Sequence, residues 1–144
     1  MADMLWTDEQ IPGEPITVWT PYPGWNWVRD SPSSQAQLKP MWDASKEKIY
    51  HIANLLNIEI NMDDLILATS GAAHGENAFF NHPNLKLAIV VTKDPVMKMA
   101  VENMIQSMAK NTGVYEQIGI MVMDNLEGAL DHIRKQISAQ KATS

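Results

Sequence analysis

The stretch Leu85–Met123 constrains the fold most, because it predicts a strand, a helix and a second strand in succession. Leu87–Val91 is an unbroken apolar run rich in isoleucine and valine, which is typical of a strand buried on both faces. Asp94 followed by Pro95 is a helix-start signal, with a capping residue before proline at the first helical position. Gln117–Met123 supplies the second strand. Short connections of this kind predict a parallel crossover.

Two helices in the C-terminal half are predicted from apolar stripes at helical spacing. The stripe of the crossover helix consists of Met97, Val101, Met104 and Met108. The stripe of the last helix consists of Leu126, Ala129, Leu130, Ile133 and Ile137. An acidic start with a glutamate three residues after Asp124 resembles a capping box. The spacing indicates that the methionines fill the core rather than line a groove.

The N-terminal half is predicted from turn residues and short apolar runs. Residues 1–15 are acidic and contain two prolines and a glycine, so we expect an irregular arm. Ile16–Thr20 and Trp25–Val28 flank a Pro-Tyr-Pro-Gly turn and predict a hairpin. A helix is expected from Pro40 to Leu56, and a buried strand over Asp64–Thr69. Residues 16–138 would form one domain, and residues 139–144 a frayed tail.

Length, charge and cysteine content exclude several classes of protein. A chain of 144 residues is expected to form one domain with a proper core. It has no cysteine, which excludes disulfides, thiolate metal sites and cysteine nucleophiles and suits a reducing cytoplasm. The net charge is −6 and lies in residues 1–64, which argues against nucleic acid or an anionic membrane as a partner. No signal peptide or membrane span is predicted, and we expect a cytoplasmic location.

The loop between Thr69 and Asn84 is the first place where a ligand site is expected, because ligands bind beyond the carboxyl ends of strands in α/β sheets. Ser70, Gly71, His74 and Gly75 are the candidate residues for holding an anion or phosphate. The alternative is a flexible loop whose glycines only turn the chain. The glycine-rich fingerprints of nucleotide-binding loops are absent, so no cofactor is predicted.

The histidines raise two further possibilities for a functional site, a metal site and a catalytic site. His74, Glu76 and His82 could bind a metal, since imidazole and carboxylate are usual zinc ligands, but such groupings also arise by chance. No catalytic residue is predicted, because Ser70 lacks the sequence context of a serine nucleophile. His51 and His132 are both expected at the surface or boundary of helices.

Aromatic residues are dense in the predicted hairpin. They are Trp19, Tyr22, Trp25 and Trp27. Side chains alternate along a strand, so these residues cannot all point inward. They predict either an interface, for which a homodimer is the simplest form, or a cluster covered by the N-terminal arm through Trp6.

The predicted order of elements is hairpin, helix, strand, short helical connection, strand, helix, strand, helix. That order resembles the STAS superfamily, named for sulphate transporters and anti-sigma factor antagonists, and especially its small stand-alone domains similar to the sporulation anti-anti-sigma factor. The matching residues are HPNLKLAIVVTKDPVMK (His82–Lys98) and IMVMDNLEGALDHIRK (Ile120–Lys135). The resemblance implies an α/β domain with a mixed sheet of about five strands and helices packed against it.

The resemblance also implies a non-catalytic function in which a partner protein, or sometimes a small ligand, is bound. In anti-sigma factor antagonists a serine is phosphorylated to switch partner binding, and the nearest position here is Ser70. Ala68 and Thr69 stand where the family has an Asp-Ser pair before Ser-Gly. We therefore expect a regulatory module that binds a protein partner or itself. The alternatives are a small ligand- or metal-dependent enzyme and a structural subunit that self-assembles.

Overall fold

The computed structural model describes residues 5–58, 84–111 and 119–143 of the chain. In chain order the elements are β1 (Trp6–Gln10), β2 (Ile16–Pro21), α1 (Trp27–Ala44), β3 (Ile49–Asn54), β4 (Leu85–Val91), α2 (Pro95–Asn111), β5 (Gly119–Met123) and α3 (Leu126–Thr143). The strand predicted over Asp64–Thr69 lies outside the described residues.

The described strands form one five-stranded sheet in the order β1-β2-β3-β4-β5. β1 pairs with β2 in antiparallel orientation, and each later neighbour pairs in parallel. The predicted fold class, an α/β domain with an N-terminal hairpin and a mixed sheet, is therefore confirmed. The predicted parallel crossover is also confirmed, because β4 and β5 are parallel neighbours joined through α2.

Both faces of the sheet are covered by helices. On one face, Ile52 and Ile89 pack in a fully buried cluster with Ala129 and Ile133 of α3, which confirms the predicted stripe of the last helix. On the other face, Trp19 and Val90 pack with Met97 and Val101 of α2. α1 covers the β1 side of that second face, where Ser34 reaches Asp8, and its Trp42 indole reaches Thr17 of β2. The side chains of Met104 and Met108 are not described.

The prediction of an irregular arm over residues 1–15 is wrong for Trp6–Gln10, which forms β1. The hairpin therefore consists of β1 and β2. Its turn is closed by the Ile11 N–H, which donates to the Ile16 carbonyl over 2.9 Å, and Gly13 adopts a positive φ of 78° within it. The sequence of β1 is largely polar, so no strand was predicted there. Its Trp6 and Asp8 side chains are held by Gln37 and Ser34 of α1, and local patterns do not reveal such contacts.

The predicted second strand over Trp25–Val28 is also wrong, because α1 begins at Trp27. Asn26 caps this helix, and its Oδ1 accepts a hydrogen bond from the Arg29 N–H over 2.7 Å. Hydrogen bonds from the Arg29 guanidinium hold the pKa of the Asp30 carboxyl below its usual range. A short polar side chain before an acidic first turn therefore sets the start of the helix.

The helix predicted from Pro40 to Leu56 is wrong at both ends. α1 covers residues 27–44 and continues through Pro40, although an internal proline removes one main-chain hydrogen bond. Ser34, Leu38 and Trp42 lie four residues apart in α1 and are all buried, and this packing holds the helix together. Ile49–Asn54 forms β3, whose apolar run also fits helical spacing over so short a length.

The C-terminal tail is helical as well, since α3 extends to Thr143. The predicted frayed tail over residues 139–144 is therefore wrong for residues 139–143. The Tyr50 hydroxyl donates a hydrogen bond to the Gln140 side chain over 3.1 Å, which attaches this end of α3 to β3. None of the helices in the described ranges is long and apolar enough to cross a membrane.

Candidate functional site

The carboxyl ends of the parallel strands β2 to β5 lie along one edge of the sheet, which we name the carboxyl edge. α2 and α3 both begin there. Asp94 Oδ1 accepts from the Val96 N–H over 2.9 Å, and Asn125 Oδ1 accepts from the Gly128 N–H over 2.5 Å. The predicted helix start at Asp94 and Pro95 is therefore confirmed, and each helix is capped by a side chain of the protein itself.

Three tryptophans pack against one another beside this edge and form the aromatic cluster: Trp6, Trp19 and Trp25. The rings of Trp6 and Trp25 lie 5.4 Å apart, and those of Trp19 and Trp25 lie 5.0 Å apart, both edge to face. This geometry is favourable for aromatic pairs. Trp19 is only 4% exposed and belongs to the core.

Of the four aromatic residues proposed for an interface, Trp19 is thus buried in a cluster with Leu55, Val90, Met97 and Val101, and Trp6 and Trp25 pack against this cluster. Tyr22 and Trp25 are half-buried and follow the carboxyl end of β2. Trp27 is the first residue of α1, and its side chain is not described. Tyr22 and Trp25 therefore remain partly accessible at the carboxyl edge.

Asp8 lies on β1 beside the aromatic cluster and faces α1. Its carboxylate accepts hydrogen bonds from the Trp6 indole N–H over 2.9 Å and from the Ser34 hydroxyl over 3.0 Å. The Trp6 N–H also lies 3.1 Å from Gln37 Oε1. Burial raises the pKa of Asp8 to about 6, although both hydrogen bonds act to lower it. This carboxylate joins β1 to α1.

His51 lies in the middle of β3 and is 4% exposed. Its Nδ1 is 2.8 Å from Thr17 Oγ1, and the Trp42 indole N–H donates to the same oxygen over 3.1 Å. Burial lowers the pKa of His51 to about 3, so the imidazole is neutral at pH 7. The prediction that His51 lies at a helix surface is wrong, because it belongs to a central strand.

His132 lies half-buried on α3, where its Nε2 is 3.0 Å from Gln136 Nε2. The predicted boundary position of His132 is therefore confirmed. Both described histidines have structural roles. His51 links β2, β3 and α1, and His132 contacts the next turn of its own helix. In the described ranges, no group of three or more histidine, aspartate and glutamate side chains could hold a metal ion.

Three large apolar side chains are exposed in the described part of the chain, and we name them the apolar patch: Leu56, Val96 and Met99. They are 38%, 47% and 58% exposed, respectively. Leu56 follows β3, while Val96 and Met99 lie in the first turns of α2, so all three are at the carboxyl edge. The sequence contained a signal for two of them, since Val96 and Met99 are apolar residues outside the buried stripe of α2.

Residues proposed for a ligand site, Ser70, Gly71, His74 and Gly75, lie outside the described residues. The same is true of Glu76 and His82, which complete the alternative metal site. The anion site, the phosphorylation at Ser70 and the metal site stay predictions. Asn84, at the end of this loop, is described, and its Nδ2 donates to the Trp42 carbonyl over 2.8 Å.

Comparisons with protein-family models, curated protein sequences and solved structures found no match to this chain. The resemblance to STAS domains therefore stays a prediction.

Proposed function

We propose that this protein is a non-catalytic binding module that associates with a second copy of itself through the carboxyl edge. The observation that carries the proposal is the apolar patch: the large apolar side chains that are exposed in the described ranges all lie at this one edge. Exposed apolar side chains that are concentrated at one edge, rather than scattered over the surface, favour an interface at that edge. A two-fold dimer is the simplest such assembly, because it is the commonest among soluble oligomers.

Met99 is the centre of the proposed interface. It is 58% exposed and points away from the sheet, since Met97 and Val101 of the same helix are buried against it. Val96 lies three residues earlier on the same exposed side. Complete burial of a fully exposed side chain of this size contributes about 1.5–3 kcal/mol, so burial of the exposed part of Met99 contributes roughly half of that. A two-fold contact buries each residue in both copies.

Charged residues beside the patch support an antiparallel pairing of two α2 helices. Lys98 and Glu102 are both exposed and lie one turn apart on one flank of α2. When two copies of α2 pair about a two-fold axis near residue 100, Lys98 of one copy lies beside Glu102 of the other. The surface is then self-complementary in charge as well as apolar.

Two half-buried aromatic residues lie at the same carboxyl edge. Tyr22 and Trp25 lie at the carboxyl end of β2, and Trp25 packs with Met97 and Val101 in one cluster. Tyrosine and tryptophan are enriched among residues that dominate binding energy. A regulatory role in the cytoplasm, STAS-like ancestry and tuning through Ser70 belong to the same proposal.

The test is static light scattering over a concentration series, with tryptophan fluorescence recorded alongside. We expect the wild-type protein to dimerise with rising concentration and the double variant Val96→Ser/Met99→Ser to remain monomeric. Lys135→Ser, an exposed change on α3, is the matched control and should dimerise like the wild type. A wild-type protein that stays monomeric at every concentration, or a double variant that dimerises normally, would refute the proposal.

Charge reversal tests the antiparallel arrangement. Lys98→Glu should weaken the dimer because it places two acidic residues together, and Lys98→Glu/Glu102→Lys should restore it because the pair is exchanged. The same apparent dissociation constant for all three proteins would contradict the proposed pairing of Lys98 with Glu102.

A further inference from the structure

Sulfur occurs in this chain only in the thioethers of methionine. The sequence has ten methionines and no cysteine, so no thiol of the protein competes for an oxidant. Of the methionines whose side chains the structure describes, Met97 is buried, Met41, Met121 and Met123 are half-buried, and Met99 is exposed. Met99 is therefore the most accessible thioether in the described ranges.

Met97 and Met99 lie two residues apart on α2 and differ sharply in exposure. Met97 is 3% exposed and packs with Trp19 and Val90 of the sheet, whereas Met99 is 58% exposed. Positions two apart in a helix do not share a face, so the side of α2 that covers the sheet excludes Met99. Oxygen transfer requires the oxidant to contact the sulfur atom. The fold thus protects one thioether of α2 and leaves its near neighbour open to a dissolved oxidant.

Oxidation changes the polarity of a thioether and is reversible. When hydrogen peroxide reacts, one of its oxygens forms a bond to the sulfur and the O–O bond breaks. The other oxygen takes both protons and leaves as water, so the sulfur loses two electrons and the peroxide gains them. The product, methionine sulfoxide, is polar, and two thiols reduce it again by forming a disulfide while the oxygen leaves as water.

We propose that Met99 is a redox modification site, at which peroxide separates the two copies of this chain and a thiol reductant allows them to associate again. The site acts on the dimer proposed above and depends on it. In that dimer Met99 lies at the centre of an apolar contact, where a sulfoxide oxygen would lose its water without gaining a donor. Both copies carry the modification, so the cost is incurred twice. The dimer covers Met99, and the oxidant therefore reacts with the monomer and holds it in that state.

The test treats the full chain with dilute hydrogen peroxide, removes the peroxide and locates the added oxygen by mass spectrometry of peptides. Static light scattering over a concentration series then gives the dimer dissociation constant of treated and untreated samples. We expect oxygen at Met99 and none at Met97, and a dissociation constant at least about tenfold higher after treatment. Dithiothreitol with two methionine sulfoxide reductases, one for each sulfoxide epimer, should restore the untreated value.

Met99→Leu removes the sulfur and keeps a large apolar side chain, and Met41→Leu is the matched control on α1. Each variant is compared with its own untreated sample, so that a change in its starting affinity does not enter the comparison. We expect peroxide to leave the association of Met99→Leu unchanged and to weaken that of Met41→Leu as it does in the wild type. The inference is overturned if the wild-type dimer keeps its affinity with Met99 oxidised, or if peroxide weakens Met99→Leu equally.

The rate of oxidation gives a second measurement that needs no variant. With peroxide in excess, oxidation of Met99 should slow as the protein concentration rises, because the dimer covers the thioether. In a protein that dimerises, a rate that does not depend on concentration would contradict the site and leave the dimer standing. A wild-type protein that is monomeric before treatment would overturn the dimer itself, and this inference with it.

Discussion

Replacement of His51 by asparagine should change how the stability of the protein depends on pH. His51 is buried in β3 with its Nδ1 2.8 Å from the Thr17 hydroxyl. Burial lowers the pKa of the folded imidazole from 6.5 to about 3. Asparagine removes the titrating group but keeps a polar atom near the position of Nδ1, so that Thr17 retains a possible partner.

The direction follows from proton binding. Between pH 6.5 and 3 the unfolded chain binds a proton at His51 that the folded chain does not. The contribution of His51 to the free energy of unfolding is therefore complete above pH 6.5 and is lost as the pH falls. The loss from this one residue is about 2 kcal/mol at pH 5 and about 3 kcal/mol at pH 4. These values depend mainly on the pKa of the unfolded state, because the folded pKa lies well below either pH.

The assay is urea unfolding of the wild type and of His51→Asn at pH 7.5, 6, 5 and 4, followed by tryptophan fluorescence. The free energy of unfolding of the wild type should fall relative to that of the variant by about 2 kcal/mol between pH 7.5 and pH 5. The difference between the two proteins cancels the contributions of other titrating groups. The reasoning would be refuted if the free energies of unfolding of the two proteins had parallel pH profiles. It would also be refuted if an NMR titration of the His51 imidazole in the folded wild type had a midpoint near 6.5.

Two further predictions concern β1 and the core. Asp8→Asn should remove a pH dependence of the opposite sign: burial raises the folded pKa of Asp8 from 3.8 to about 6, so the wild type loses stability as pH rises through this window. Solvent screening of the partly exposed carboxylate reduces this loss of stability to about 1 kcal/mol, which urea unfolding at pH 4 and pH 7 can measure. An equal change in the free energy of unfolding between the two pH values for both proteins would contradict the prediction. Ile133→Ala should lower the free energy of unfolding by about 2–5 kcal/mol, because Ile133 is fully buried between α3 and the sheet. Ile137→Ala is its control at a half-buried position, and an equal loss there would contradict the packing argument.

The C-terminal half of the fold was predictable because its signals are local. Asp94 and Pro95 fix the start of α2 through the capping bond to the Val96 N–H, which involves neighbours in sequence only. The apolar stripe that includes Ile133 fits one face of a helix and no face of a strand. Capping and periodicity act over a few residues, so a sequence shows them directly.

The N-terminal half was not predictable in the same way. β1 has the sequence WTDEQ, which does not alternate between apolar and polar residues because a charged residue, Asp8, takes an inward position where Ser34 of α1 is its partner. Residues 49–54 form a central strand, yet their apolar spacing also fits a helix over that length. Pairing with strands distant in sequence decided both cases, since hydrogen bonds in a sheet join residues that the sequence separates.

The properties of the candidate sites likewise fall into two groups, those visible in the sequence and those that depend on packing. Composition and local pattern are enough to show that the chain is acidic in its first half, has no thiol chemistry and contains a dense group of aromatic residues. The packing of the helices on the sheet was needed to show that Trp19 belongs to the core, that His51 is buried and neutral, and that Val96 and Met99 are exposed. The exposure and the pKa of a side chain depend on which elements cover it, and elements distant in the sequence come to cover it only when the helices pack on the sheet.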